Sequence, residues 1–344
     1  MPAAPHPGRD SPEGPDRSPG IPFLPAVAFI AATLCAFVLG HGGETTSPGS
    51  AAAAEPVHMA PAKPAIPPCP ADAGWDDPTP PRHVHGDTWY VGTCGIAAVL
   101  IRGDDGHVLI DAGTQRGGAL VLDNLKTLGI APRDVHWLLV SHEHLDHAGG
   151  LAALQAATGA PLLARAPAIA TLRSGRSDRS DPQFLTLKPF PPVADVQEVA
   201  DGRTLRLGRL ALTAHATPGH TAGGTSWTWR SCEGDGECLD IAYVDSLTAV
   251  SDAEYRFSDA SAHPGVLEAF HTTLERVEAL PCDILITPHP NASGFWERMG
   301  TDAARPLRDP TACRAYAAAA RERLERRLAR ERDQPPQQIP ENTP

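Results

Sequence analysis

The chain has 344 residues, 42% of them hydrophobic, enough for one large domain or two small ones with a substantial core. Its formal net charge is −12, and with Lys63, Lys126 and Lys188 as its lysines, arginine carries nearly all of the positive charge. An acidic chain is a poor general binder of nucleic acid, because phosphate contact needs clustered Lys and Arg, so no nucleic-acid partner is expected. Residues 1–21 are rich in Pro, Gly and charge, and the run 22–40 that follows holds no charged residue. Residues 1–40 read as an export signal with a long leader. An uncleaved N-terminal anchor is the alternative, since the run is close to the ~20 residues that span a bilayer. Residues 41–68, rich in Ala, Pro and Gly, read as a flexible linker, 69–333 as the folded domain, and 334–344 as a disordered tail.

Within the folded part, 88–91 and 95–101 read as strands, and 107–111 as a third that ends at Ala112-Gly113. Residues 119–128 have helical spacing and stop at Gly129; 135–140 is a buried strand, and 149–158 a helix stopped by Gly159. The second half repeats this grammar. Strands are expected at 210–215, 225–230, 241–244 and 283–287, and helices at 264–280 and 314–333. Arg and Glu at three- and four-residue spacing in the last helix read as a solvated face. Two similar halves of alternating strands and helices imply an α/β sandwich, with helices outside two sheets.

Cys35 lies inside the export segment, and Leu34 before it is bulkier than lipid-attachment signals use. The remaining Cys69, Cys94, Cys232, Cys238, Cys282 and Cys313 are an even set, which in an exported chain implies disulfides. Cys232 and Cys238 bracket a hairpin tip and suit a short-range bridge; the sequence leaves the other pairings open. With no Cys-x-x-Cys, a cysteine metal site is not expected.

The chemistry concentrates after the buried strand at 135–140, in Ser141-His142-Glu143-His144-Leu145-Asp146-His147-Ala148-Gly149-Gly150. His142 and His144 are two apart, so in extended chain both point to the same side. Asp146 and His147 follow at the turn into a helix, where consecutive side chains diverge, so one short loop can serve two ions. Imidazole and carboxylate are the usual ligands of Zn²⁺. Glycines at 149 and 150 let the helix start close to this loop. Each ion needs a further ligand, and two Pro/Gly-bounded turns after apolar strands supply His220 and His289. His107, His136, His215, His263 and His271 lack that setting and read as structural or surface groups, His215 being the nearest to the candidate site.

These residues resemble the metallo-β-lactamases, and within them the third subclass, known by an HxHxDH loop, a later His on each metal and no cysteine ligand. The likeness runs from about Cys69 to Tyr316 and includes Trp89-Tyr90-Val91-Gly92-Thr93-Cys94-Gly95, Ser180-Asp181-Pro182-Gln183-Phe184, Thr217-Pro218-Gly219-His220-Thr221, Tyr243-Val244-Asp245-Ser246-Leu247 and Thr287-Pro288-His289-Pro290. It implies an αββα sandwich of two mixed sheets. It implies two Zn²⁺ per chain, one on His142, His144 and His220 and the other on Asp146, His147 and His289. It further implies bridges Cys69–Cys94, Cys232–Cys238 and Cys282–Cys313. The implied reaction is hydrolysis of the β-lactam amide of penicillins, cephalosporins and carbapenems by a metal-bridging hydroxide that Asp146 orients, giving antibiotic resistance. Ser246 and Thr248 are then candidates for the substrate carboxylate, Thr248 being a mild departure from the more usual Ser. Residues 172–184, with Arg173, Arg176 and Arg179, lie where the family places a substrate-covering loop. Asp111 is expected to hydrogen-bond toward the metal loop. The likeness also implies a bacterial periplasmic or secreted monomer acting on a small molecule, without stable membrane association once the signal is cleaved.

The same metal loop occurs in glyoxalase II, in lactonases and in nucleases of the fold, which use an extra Asp to bridge the metals. Asp245 is the residue to suspect for that role. A thioester or ester hydrolase is therefore the alternative, and an inactive binding module is disfavoured because all six donors are present.

Overall fold

The computed structural model describes residues 69–234, 236–300, 303 and 305–333. The expected export signal, linker and C-terminal tail lie outside these residues. In the first half, strands β1 (Arg82–His85), β2 (Thr88–Tyr90), β3 (Val99–Ile101) and β4 (His107–Ile110) lead into helix α1 (Gln115–Thr127). Then follow β5 (Val135–Leu139), α2 (Leu145–Ala148), α3 (Leu151–Thr158), β6 (Leu162–Ala164), α4 (Ala166–Ser174) and β7 (Val196–Glu198). These strands form one sheet in sequential order, antiparallel from β1 to β4 and parallel from β4 to β7.

The second half contributes β8 (Thr204–Leu207), β9 (Leu210–Ala216), β10 (Thr225–Cys232), β11 (Cys238–Tyr243), α5 (Val266–Glu278), β12 (Ile284–Ile286), α6 (Pro290–Ser293), α7 (Phe295–Arg298) and α8 (Ala312–Asp333). Its sheet has the order β12-β11-β10-β9-β8, with β12 parallel to β11 and the rest antiparallel.

Side-chain alternation sorts these strands into layers. Val99, Ile101, Val108 and Ile110 face the core between the sheets, where they meet Trp227, Trp229, Ile241 and Tyr243. Leu100 and Leu109 point the other way, onto a second core with Val121 and Leu125 of α1 and Leu151 and Leu154 of α3. Ala242 and Leu285 face a third core, built with Phe270 and Leu274 of α5 and Tyr316, Ala320 and Leu324 of α8. The result is the expected αββα sandwich, two mixed sheets with helices on the outside. Disulfides join Cys69 to Cys94, Cys232 to Cys238 and Cys282 to Cys313. Among the described residues no helix is long and apolar enough to cross a membrane.

Several boundaries differ from those expected. The strand expected at 95–101 starts at Val99, because the Ala97 N–H is diverted to Pro288 O (2.8 Å) and Thr93–Ile96 closes a turn. The helix expected at 149–158 starts at Leu151 as α3, the short α2 precedes it, and Gly149 and Gly150 between them sit where backbones meet. A Cβ on Gly150 would stand 2.7 Å from the Gly118 Cα, so α1 crosses here at backbone contact. Residues 172–174 belong to the last turn of α4, which ends at Gly175 in the left-handed region (φ 68°), so the candidate covering loop begins only after it.

Candidate metal centre

Three segments that each leave the C-terminal end of a strand converge: the 141–147 loop after β5, the 217–224 loop after β9 and the 287–290 turn after β12. The first is tethered across the sheets. Trp227 Nε1 donates to Val140 O (3.0 Å), and the Thr225 N–H donates to Ser141 O (2.7 Å). The extended stretch around Glu143 sends His142 and His144 one way and Glu143 the other. Buried Glu143 accepts from Thr221 Oγ1 (3.0 Å) and the Gly223 N–H (3.1 Å), tying this loop to the one that carries His220.

The rings of His142, His144 and His220 lie 4.8–5.0 Å apart by centroid. Their candidate donor atoms lie within 4.8 Å of one another, and so do those of a second group, His142, Asp146 and His147. His289 joins the second group: its Nε2 is 3.2 Å from Asp146 Oδ2, as is His147 Nε2, and its ring is 5.0 Å from that of His147. All six residues singled out in the sequence are thus brought together.

Behind the rings stands a set of partners. His142 Nδ1 donates to Asp245 Oδ1 (2.8 Å), His144 Nε2 to Asp181 Oδ2 (3.0 Å), and His220 Nδ1 to the Thr248 carbonyl (3.0 Å) and hydroxyl (2.9 Å). Each contact takes one ring nitrogen and leaves the other for the cluster. Asp111 lies 3.4 Å from His147 Nδ1. The same carboxylate accepts from the Ser141 N–H, the Ser141 hydroxyl and the Tyr243 hydroxyl, each at 2.7 Å. Asp111 itself is a non-glycine residue in the left-handed region (φ 61°).

Asp245 stands on the far side of His142 and in neither donor group. Its Oδ2 occupies space that a Cβ on Gly224 would approach to 2.5 Å, so the absence of a side chain at 224 admits the carboxylate. Ser246 is buried next to it in sequence, and Thr248 is engaged with His220. Arg173 donates to Val196 O and Arg179 pairs with Asp252 (2.8 Å), so both guanidinium groups hold parts of the fold together.

The donor set fits a metal. His142 Nε2 and both ring nitrogens of His147 are buried with no well-formed hydrogen bond. A buried polar atom left in that state costs about 1–3 kcal/mol, which coordination removes. Burial and the adjacent imidazoles of His147, His220 and His144 hold His142 well below the usual histidine range. Burial and the neighbouring His144 bring His220 down to about 3. Both are therefore neutral, as ligands must be. Burial alone would raise Asp146, but the adjacent His147 holds its carboxyl well below the usual range. Burial would lower His147, yet the carboxylates of Asp146 and Asp111 lift it to about 10, so a metal taking this ring would displace its proton.

Asp181, Glu143 and Tyr243 support the cluster without having been assigned a role from the sequence. Asp181 sits in Ser180–Phe184, a segment that carried the family resemblance, and Glu143 could have been placed by the alternation that pairs His142 with His144.

Comparison with known proteins agrees with this geometry. The model of the "Metallo-beta-lactamase superfamily" matches residues 91–233. The solved structure of MEM-A1, a subclass B3 metallo-beta-lactamase from a soil metagenome library, is 43% identical with a TM-score of 0.73, covering 76% of this chain and 99% of that one. The metallo-β-lactamase MIM-1 from Novosphingobium pentaromativorans is 48% identical with a TM-score of 0.72, over 76% of this chain and 93% of that one. A curated relative, the hydroxyacylglutathione hydrolase of Anaeromyxobacter dehalogenans (strain 2CP-C), is 36% identical over 109 residues, 31% of this chain and only 33% of that protein. With fold, donor set and near full-length coverage of B3 structures in agreement, the chain belongs to the metallo-β-lactamase family and has its structural neighbours in subclass B3.

Proposed function

We propose that this protein is an exported, monomeric hydrolase that uses two zinc ions to open the amide bond of β-lactams, including penicillins, cephalosporins and carbapenems, and so gives antibiotic resistance. The observation that carries the reading is the position of Asp245, behind His142 instead of among the donors, with Ser246 beside it. His142, His144 and His220 would hold one ion, and Asp146, His147 and His289 the other. When bound, the pair supplies Lewis acidity, polarising the scissile carbonyl and making water nucleophilic near neutral pH.

The chain's own residues do the rest. Asp146 turns Oδ2 toward His147 and His289, which leaves its other oxygen to accept a hydrogen bond from the attacking water and orient it. The Thr248 hydroxyl accepts from His220 Nδ1, so its own proton can be donated to the substrate carboxylate, with Ser246 as the second donor. Trp75, Phe184, Leu185 and Val250 are the exposed large apolar side chains among the described residues. Trp75 stands beside the cluster, 6.2 Å from His289 by ring centroid, and Phe184 and Leu185 follow Gln183, whose Nε2 is 3.5 Å from His220 Nε2. An exposed indole in that position suits an apolar substituent on a compact substrate.

The test is hydrolysis of a chromogenic cephalosporin and of a carbapenem by purified mature protein, with and without a chelator. Absence of chelator-sensitive lactam cleavage would overturn the reading. A thioester hydrolase is the second reading, favoured by the partial match to a hydroxyacylglutathione hydrolase. Turnover of a hydroxyacylglutathione in the same preparation, with lactams untouched, would select it.

A further inference from the structure

Residues 175–187 form turns without a helix or strand, yet this loop reaches the metal cluster through Asp181, against His144, and Gln183, near His220. What fixes the loop is Asp252, a residue outside the cluster whose carboxylate side chain is only 1% exposed. Asp252 accepts from Arg179 Nη1 (2.8 Å) and Nη2 (3.3 Å), a two-pronged guanidinium contact. It also accepts from the Leu185 N–H (3.1 Å), while its own N–H donates to Pro182 O (2.8 Å). The loop is therefore gripped on both sides of Asp181, at 179 and at 182–185.

Asp252 is itself anchored. It accepts from the N–H groups of Glu254 and Tyr255, both at 3.0 Å. Helix α8 holds the same stretch from outside: Arg327 Nη2 donates to Ser251 Oγ (2.7 Å), and Glu331 accepts from the N–H groups of Phe257 (3.1 Å) and Ser258 (2.8 Å). Contacts thus run from α8 through Ser251 and Asp252 to Arg179 and Pro182, which flank Asp181 and its bond to the His144 ring.

We propose that Asp252 is a positioning residue for the metal cluster. Through Arg179 and the loop backbone it sets Asp181 so that the His144 ring presents Nδ1 to the metal. The inference rests on the dizinc-hydrolase reading and adds to it a control point remote from any ligand. A loop that was merely a cover would need no buried carboxylate gripping it on both sides of Asp181, which holds the His144 ring.

The test uses the full mature protein and measures zinc affinity by competition with a chromogenic chelator, alongside the visible spectrum of the Co²⁺-substituted form. Asp252→Asn and Arg179→Met are each expected to weaken zinc binding at the site of His142, His144 and His220 about tenfold, at the lower end of what loss of an outer partner of a ligand costs, and to alter the Co²⁺ bands. Arg179→Lys should restore part of the loss. In an Asp181→Asn background, Arg179→Met should weaken binding no further, because both changes act through one contact. Unchanged zinc affinity in the variants, or full additivity with Asp181→Asn, would overturn the proposal. If Asp252→Asn does not fold, the partly exposed Arg179 decides the matter alone. A wild type that binds no zinc would instead overturn the parent reading, and this inference with it.

Discussion

The two donor sets are built to different standards. In the set of His142, His144 and His220, every ring is buried and has one nitrogen held by a partner from a different segment, namely Asp245, Asp181 and Thr248. In the set of Asp146, His147 and His289, His147 has only a 3.4 Å contact with Asp111 behind it, and the His289 side chain is 36% exposed. Rings locked before the metal arrives lose less freedom on binding it. The first set is therefore expected to bind the tighter ion, and the second to exchange its ion and meet the substrate.

Removing a ligand from the rigid set should have the largest effect. His144→Ala is expected to lower lactam turnover by about 10²–10³-fold, the scale on which loss of one preorganised electrostatic group is felt, and to leave well under two zinc ions per chain by elemental analysis. Two retained ions would contradict the assignment of this set. His289→Ala should keep about one tightly held ion; if the ion that remains is as labile as the second ion of the wild type, the contrast between the sets is wrong. Next in size is Asp181→Asn, which keeps the shape of the side chain but weakens its hold on His144. Its expected cost is about 10–100-fold in affinity at the tighter site, with the weaker site unaffected in the same chelator titration.

The smallest effect concerns acid. Burial alone would raise the Asp252 carboxyl, but the Leu185 N–H and the Arg179 guanidinium hold it below the usual carboxylate range. A carboxylate depressed in the folded state contributes stability that is present above about pH 4 and lost as pH falls through the folded-state value. The gap in melting temperature between the wild type and Asp252→Asn should therefore narrow as the pH is lowered below about 4. A gap that stays constant would show that ionisation of Asp252 contributes nothing.

Most of this architecture was legible in the sequence where a period or a cluster repeats a physical rule. The buried strand before Ser141, the two-residue spacing of His142 and His144, and the Pro/Gly turns around His220 and His289 each announce themselves locally. What escaped is short or distant. Strands β6 and β7 have three residues each, too few for alternation to register, and α4 went unread, its last turn falling in the stretch taken as a covering loop. Asp181 and Asp252 are single carboxylates 71 positions apart (252 − 181), and nothing in either neighbourhood announces that one positions the other. Asp245 was noticed, but its side of the ring was not decidable, because whether a carboxylate faces a metal or backs a ligand depends on the Gly224 gap and not on its own position.

Asp111 has a consequence for anyone breeding a hardier form of this protein. Glycine there would relieve a φ of 61°, a strain of about 1–3 kcal/mol. It would also strip acceptors from three buried donors, the Ser141 N–H and the Ser141 and Tyr243 hydroxyls, and the neighbour from His147. A buried donor left unpaired costs about 1–3 kcal/mol, so the exchange should lower the melting temperature as well as slow the reloading of zinc; backbone strain at this residue is a poor guide to where a hardier form is to be found.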